Sequence, residues 1–468
     1  MHSQILKRAE SFVLISLAIT VFSPLSYCDA PDFIWEHCDQ NSGVYYDVAI
    51  TPDGASVVAA GYYIIDSSSY PAVVKYSSDG QKQWTWDAGV PGGIMTDVQT
   101  YADGTIVAAG GVCPISGLPT YQMLVILDDE GNEISRFWLD FEEASGAYGF
   151  VRLPDGGFAI GGTILLYDVY TPTLTRIASD GSVLWSAEPD GVSGAIRTVL
   201  LSDQGHLVCL ADPSYKAPVF LEYSLDGQLS WTYDCTGSLQ SGDGDFCCFG
   251  SEGGYAVVSY RDAMAIDSYG GLLWLEQPTG YHDRELLSSS PTMDGGLILS
   301  GADGHYEFYE PYQYHSYNGW LVKLDQEGNS EWNITWDPGS GHTYFHCARQ
   351  YQTGGYIVSG SDNGHAYLGR LAPESGVSHD IQPDFTADLC KNPFSSEMVI
   401  SVEASEPGDF KIEVFDISGR LVEDVHEGIL DSGSHTFSWH APESNCSAVY
   451  LIRIVHDSEI RVLRAVRL

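Results

Sequence analysis

The chain is written in short apolar runs, such as Ser56-Val57-Val58-Ala59-Ala60-Gly61, each reached from a turn built on glycine and left through polar residues. The turn recurs as Pro52-Asp53-Gly54, Ala102-Asp103-Gly104, Pro154-Asp155-Gly156, Gln204-Gly205, Glu252-Gly253-Gly254, Met293-Asp294-Gly295 and Thr353-Gly354-Gly355. Apolar runs this short, bounded by turn residues, predict strands rather than helices. Their fixed period predicts a repeat architecture, in which each unit buries its apolar faces against its neighbours.

A second turn stands in the latter half of each unit, at Ser78-Asp79-Gly80, Glu130-Gly131, Ser179-Asp180-Gly181, Leu225-Asp226-Gly227, Tyr269-Gly270-Gly271 and Glu327-Gly328. Behind it comes a strand that carries Trp84, Trp138, Trp185, Trp231, Trp274 or Trp332. Asp-Gly between apolar runs signals a hairpin, because glycine accepts the positive φ that a tight turn requires. Each unit thus predicts four antiparallel strands, the content of one propeller blade. Only the second unit breaks the glycine-to-tryptophan spacing, with Trp138 displaced from its turn. The seventh unit stops at Leu368-Gly369-Arg370-Leu371 without a tryptophan strand, and Phe33-Ile34-Trp35-Glu36-His37 offers one from the other end. The expected fold class is therefore all-β: a seven-bladed β-propeller over residues 29–372, closed by the N-terminal strand. Pairing of the strands at Trp35 and Arg370 would remove an open sheet edge.

The acidic hairpin and tryptophan in Leu324-Asp325-Gln326-Glu327-Gly328-Asn329-Ser330-Glu331-Trp332 resemble the Trp-docking repeat of quinoprotein-like propellers, over residues 31–372. That resemblance implies tryptophans packed between neighbouring blades. From Ala372 the pattern changes. Residues 373–388 read as a linker, and residues 389–468 as a small Ig-like sandwich with strands at Glu397 to Ser401, Phe410 to Phe415, His435 to Trp439 and Val449 to Val455. Asn392-Pro393-Phe394, Val414 through Val422, Gly433 through Trp439 and Ala448-Val449-Tyr450-Leu451 together resemble the type A C-terminal sorting domain of the type IX secretion system. The resemblance implies an export signal that engages the secretion machinery.

Charge and the first residues bear on destination and partners. A net charge of -42 is spread over every repeat, which disfavours nucleic acid and anionic lipid as partners. Lys7 and Arg8 followed by the apolar Phe12 to Phe22 and by Ser26 and Cys28 read as a signal peptide over residues 1–28. The expected location is secreted or cell surface, with no further transmembrane segment. Beyond Cys28 the nine cysteines Cys38, Cys113, Cys209, Cys235, Cys247, Cys248, Cys347, Cys390 and Cys446 form no zinc motif, and Cys390 with Cys446 is a candidate clamp of the last domain.

In a propeller the tight turns share one face and the longer connections the other, where ligands are usually held. The longest connection is Ala302 to Gly319, a loop carrying Tyr306, Phe308, Tyr309, Tyr312, Tyr314 and Tyr317 with Glu307 and Glu310 between them. Tyrosine beside carboxylate suits stacking on sugar rings or anchoring a protein. Dense carboxylates also make calcium a candidate cofactor, with Asp243 and Asp245 nearest to a metal site, although the further ligands of a calcium loop are missing. Cys247-Cys248 reads as a pair of buried thiols on an inner strand, and His342 with His346 as a strand start rather than a helical metal motif. The expected function is a non-catalytic binding module for glycan or extracellular protein. The alternatives are a polysaccharide-active enzyme or a quinone-dependent oxidoreductase, and carboxylates converging in a deep central pocket would favour the enzyme.

Overall fold

The computed structural model describes residues 30–374 and 385–467 apart from short segments, of which 113–119, 213–216, 240–243, 250–253, 279–282, 390–393, 417–420 and 442–447 span four residues or more. The side chains of 305–315 lie outside the description too. All regular structure is strand, and residues 33–371 form four-stranded antiparallel sheets in chain order, the architecture of a β-propeller. One sheet has seven strands, because the long strand Phe33–Ile50 belongs to two. Its first part pairs with His365–Leu371, and its second part pairs with Ser56–Ile65.

The predicted register at the join is present, with Trp35 opposite Arg370. A buried polar cluster holds this strand from behind. Asp39, 7% exposed, takes Lys82 Nζ at 2.5 Å and Tyr63 Oη at 3.1 Å, and Tyr45 is bonded in turn to Tyr63 and Tyr76. Buried polar groups of this kind are stable only when each finds a partner, and these do.

The tryptophans dock between sheets. Trp35, Trp84, Trp185 and Trp274 each donate Nε1–H to a carbonyl of the following turn, at Ser78, Asp129, Leu225 and Gln326, over 2.8–3.0 Å. Each ring then lies on that turn's glycine. At Gly131, with φ +84°, a Cβ would fall 2.6 Å from Trp84, so both the backbone angle and the contact require glycine there. The irregular second unit has a physical explanation: Phe137, not Trp138, covers Gly181, while Trp138 on the other side of the strand is 39% exposed. Phe137→Ala is therefore expected to cost about 3 kcal/mol and Trp138→Ala under about 0.5 kcal/mol in denaturant titrations. Equal costs would show that docking does not hold the second sheet to the third.

Residues 385–467 form a three-stranded and a four-stranded antiparallel sheet around one core that contains Phe394, Met398, Phe410, Trp439, Tyr450 and Ile452. Strands Glu397–Ala404, Gly408–Asp416, Gly433–His440 and Ala448–His456 fall where the sequence predicts them. Cys390, Cys446 and residues 1–28 lie outside the described residues.

Candidate functional site

Strands Gly93–Thr100, Ser145–Arg152, Ala195–Leu201, Gly244–Phe249, Asp283–Pro291 and Thr343–Gln350, with the second part of Phe33–Ile50, surround one cavity of about 580 Å³. Each is the innermost strand of its sheet, and each packs on the next, the last returning to the first. Near its start, six of the seven carry one residue too many for the ladder: Tyr46, Thr96, Tyr148, Arg197, Leu287 and His346. A bulge of this kind re-aims its side chain, and here all six line the cavity.

Carboxylates on these strands, Asp47 and Asp97 just after a bulge and Asp245 on the strand without one, tie neighbouring strands together. Asp47 accepts the Val98 N–H at 3.0 Å, Asp97 accepts the Phe150 N–H at 2.9 Å, and Asp245 accepts the Ser289 N–H at 3.1 Å. Asp245 also takes the hydroxyls of Thr198 at 2.7 Å and Ser288 at 2.8 Å. Arg349 spans the join, donating to Asp47 at 3.2 Å and to Ser290 at 2.7 Å. Burial opposes the Arg349 charge, but Cys347 and the carboxylates of Asp47, Asp245 and Asp97 outweigh it and hold the guanidinium protonated. Burial, followed by the neighbouring Asp47 carboxylate, raises the Asp97 carboxyl well above the ordinary range.

One end of the cavity is aromatic. Tyr317 lies 5.0 Å from Tyr344 between ring centroids, Tyr344 is 6.4 Å from His346, His346 is 5.0 Å from Tyr46, and Tyr46 is 6.1 Å from Tyr62. All five are part-exposed. Across the mouth Arg197 sits 5.1 Å over the Tyr148 ring and pairs with Asp212 at 2.9 Å. Burial pushes Tyr46 up to about 12, helped by Tyr62, and drives His346 down to about 4, so both are neutral in ordinary buffers.

Of the expected ligand-binding residues between Ala302 and Gly319, Tyr317 alone has a described side chain, and it joins this aromatic line. Tyr306, Phe308, Tyr309, Tyr312 and Tyr314, with Glu307 and Glu310, lie among side chains outside the description. The described backbone at 305–309 and 312–317 is not a loop as expected, and Glu310 lies outside the described residues. Leu297–Tyr309 and Tyr312–Leu324 pair continuously up to Tyr309 opposite Tyr312, forming a long hairpin beyond the start of the inner strand. The residues between Ala302 and Gly319 include many aromatics, which suit a ladder, and no proline interrupts either strand.

Asp243 lies outside the described residues, and Asp245 is in a strand with both oxygens already accepting hydrogen bonds. Among the described residues no group of three or more His, Cys, Asp or Glu side chains is disposed to hold a metal ion. Cys247 is buried as expected, but Cys248 is exposed to the cavity, since adjacent residues of a strand face opposite ways. Sequence reasoning passed over Tyr46, Asp47, Asp97, Tyr148 and Arg349, and set His346 aside as part of a strand start. Their signal was a polar or aromatic pair just ahead of the buried run in successive units, as in Tyr46-Asp47 and Thr96-Asp97.

No protein-family model and no curated protein matches the chain. Solved structures similar to it include a Bacteroides caccae protein of unknown function, at 14% identity over 59% of this chain and 94% of the other, with a TM-score of 0.39. Sqt1 from Chaetomium thermophilum is similar at 11% identity over 74% of this chain and all of its own, with a TM-score of 0.43. The β-propeller domain of the Trilobed protease from Pyrococcus furiosus is similar at 12% identity over 71% and 94%, again with a TM-score of 0.43.

Proposed function

We propose that the chain is an exported seven-bladed β-propeller that binds a glycan at the aromatic end of its central cavity. The single observation that carries this reading is the line of part-exposed rings from Tyr317 to Tyr62, of which Tyr46 and His346 line the cavity. Ring faces are what a sugar's apolar C–H faces stack on, and Tyr46 and His346 present theirs in the cavity wall beside Thr96 and Gln99, which are themselves bonded to backbone carbonyls. Seven blades are supported by reading the seven-stranded sheet as two blades that share Phe33–Ile50.

The leader-like residues 1–28 support a secreted or cell-surface location. The strand positions in residues 385–467, with Phe394, Trp439 and Tyr450 in one core, support an Ig-like sorting domain whose partner is the type IX secretion machinery. Calcium enters as a helper of binding through the acidic surface.

An enzyme on the same scaffold is the second reading, and Asp97 favours it, because burial and the neighbouring Asp47 raise its carboxyl and a raised carboxyl can serve as a general acid. Three of the four oxygens of that pair, however, already accept hydrogen bonds from Arg349, Val98 and Phe150. The bonds read first as ties between strands. On a glycan array the purified chain is expected to retain a defined glycan class, and Tyr46→Ala to weaken retention about tenfold. Loss with EDTA would assign a cation to the site, and release of shortened fragments would transfer it to the enzyme reading. Retention of no glycan would overturn the proposal in favour of a protein partner.

A further inference from the structure

A second cavity lies away from the axis, between the third and fourth sheets, and we infer that it binds an organic cation: an ammonium or guanidinium group carried on an apolar stem. It encloses about 540 Å³, the size of a ligand site, and shares no lining residue with the central cavity. Its origin is one small side chain. Each outer strand carries a ring, and the residue two positions further along faces the same way. In the first, second, fourth and sixth sheets that residue is Trp86, Leu139, Tyr233 or Ile334, and each packs into the core between sheets. At the join His37 packs on Tyr76, and the fifth sheet has Glu276. The third has only Ala187, two residues after Trp185. Trp185 still covers Gly227, so the two sheets stay docked while the cavity opens beside Ala187.

Opposite Ala187 the fourth sheet presents Val219, Leu221 and Tyr223, alternate residues of the strand Val219–Tyr223. Two of them are apolar and the third ends in a hydroxyl. Tyr223 is 3% exposed, and its hydroxyl makes no hydrogen bond among the described residues. A side chain so buried normally finds a polar partner, and here the hydroxyl belongs to the cavity wall. Burial, then Cys209 and Asp190, push it up to about 12, so it stays protonated and its oxygen is able to accept a hydrogen bond from a cation.

The rest of the lining fixes the sign of the ligand. Glu188 and Asp190 enter from the connection after Ala187, and Asp234 from the outer strand of the fourth sheet, where it stands opposite Val219. Neither Glu188 nor Asp190 is paired with a cation among the described residues, and no Lys, Arg or His lines the cavity. An anion would meet carboxylates alone, and a neutral ligand would gain nothing from them. A cation on an apolar stem uses every part of the wall: the stem lies along Val219 and Leu221, and the head reaches the Tyr223 oxygen and the carboxylates. The net charge of -42 draws such cations to the surface. Glu188 and Asp190 are exposed, so their attraction is modest for each pair and weakens with salt.

The test is calorimetric titration of the full chain with phenethylamine, with its uncharged analogue phenethyl alcohol, and with a capped lysine peptide beside its norleucine counterpart. The amine or the lysine peptide is expected to bind at least about tenfold more tightly than its uncharged counterpart at low salt, and to lose most of that margin at about 0.5 M salt. Glu188→Gln combined with Asp190→Asn is expected to weaken the cation about five- to tenfold, and Tyr223→Phe about threefold. Ala187→Leu, which supplies the side chain that Leu139 provides in the second sheet, is expected to weaken it at least about tenfold by filling the cavity. Binding of the free amine assigns the site to small cations, and binding of the lysine peptide alone assigns it to a side chain of a protein partner. Equal binding of charged and uncharged probes, an affinity that none of the variants changes, or binding of neither cation overturns the inference. The double variant alters only exposed side chains, so its result does not depend on a repacked interior. Glycan retention by the same variants judges the central cavity separately, because the two cavities have no residue in common.

Discussion

Trp35→Ala is expected to destabilise the propeller by about 3 kcal/mol, the low end for loss of a large aromatic because the ring is only half-buried. Trp35 is the docking ring of the strand that joins the two ends of the propeller. Its ring lies on Gly80, a residue at φ +85°, and its Nε1–H reaches the Ser78 carbonyl at 3.0 Å. Arg370, its ladder partner, donates to the same carbonyl at 2.5 Å. Removing the indole loosens both partners of one join, and a ring of sheets opened at one join exposes two edges instead of none. The neighbouring Ile34→Ala is the control, since Ile34 is 53% exposed and its loss is expected to cost under about 0.5 kcal/mol. Denaturant midpoints of the two variants decide the matter, and equal midpoints would mean that closure does not limit stability.

Lys323→Met is expected to be comparably damaging, at about 3 kcal/mol near neutral pH. The Lys323 ammonium is fully buried, with Asp294 at 2.7 Å, Glu331 at 2.7 Å and the Leu324 carbonyl at 3.0 Å. Methionine fills the space but leaves two carboxylates without their cation. The lower end of the range applies because Glu331 is about a third exposed and partly screened by water. The sign of the pH dependence is fixed by Asp294. Burial raises its pKa, but Lys323 and Thr292 outweigh burial and leave it below the ordinary value of 3.8. A depressed carboxyl stabilises the fold above its unfolded pKa, and that contribution is lost as pH falls through the folded one. The gap between wild type and variant should therefore be full near neutrality and shrink below about pH 4. Thermal melts across that range would contradict the pairing if the gap stayed constant.

Lys323 also shows what a linear reading passes over. Lys75, Arg176, Lys323 and Arg370 hold the same place on the third strand of their sheets, each opposite a tryptophan. In sequence each is one charge inside an apolar run. In the fold Lys75, Arg176 and Arg370 reach the following sheet's turn at Asp129, Leu225 and Ser78, while Lys323 closes on its own sheet. The candidate site behaved in the same way. Tyrosines between Ala302 and Gly319 attract notice because they cluster along the chain, whereas Tyr46, Tyr148 and His346 stand in three separate units and meet only around the axis.

Strand positions, hairpin turns and the join at Trp35 were legible in the residues alone, because they depend on interactions between near neighbours and on a repeat that restates them. The pattern of Asp-Gly turns needs no knowledge of what lies across the molecule. Which ring covers which glycine did need it: Phe137 replaces Trp138 because the position that must face the next sheet is set by packing, and not by residue type. The cavity belongs wholly to tertiary structure. Its wall takes two to four residues from each of the inner strands, and bulges that no propensity announces turn some of them inward. The ties from Asp47 to Val98 and from Asp97 to Phe150 arise for the same reason, since residues about fifty positions apart meet only after the strands have been laid side by side.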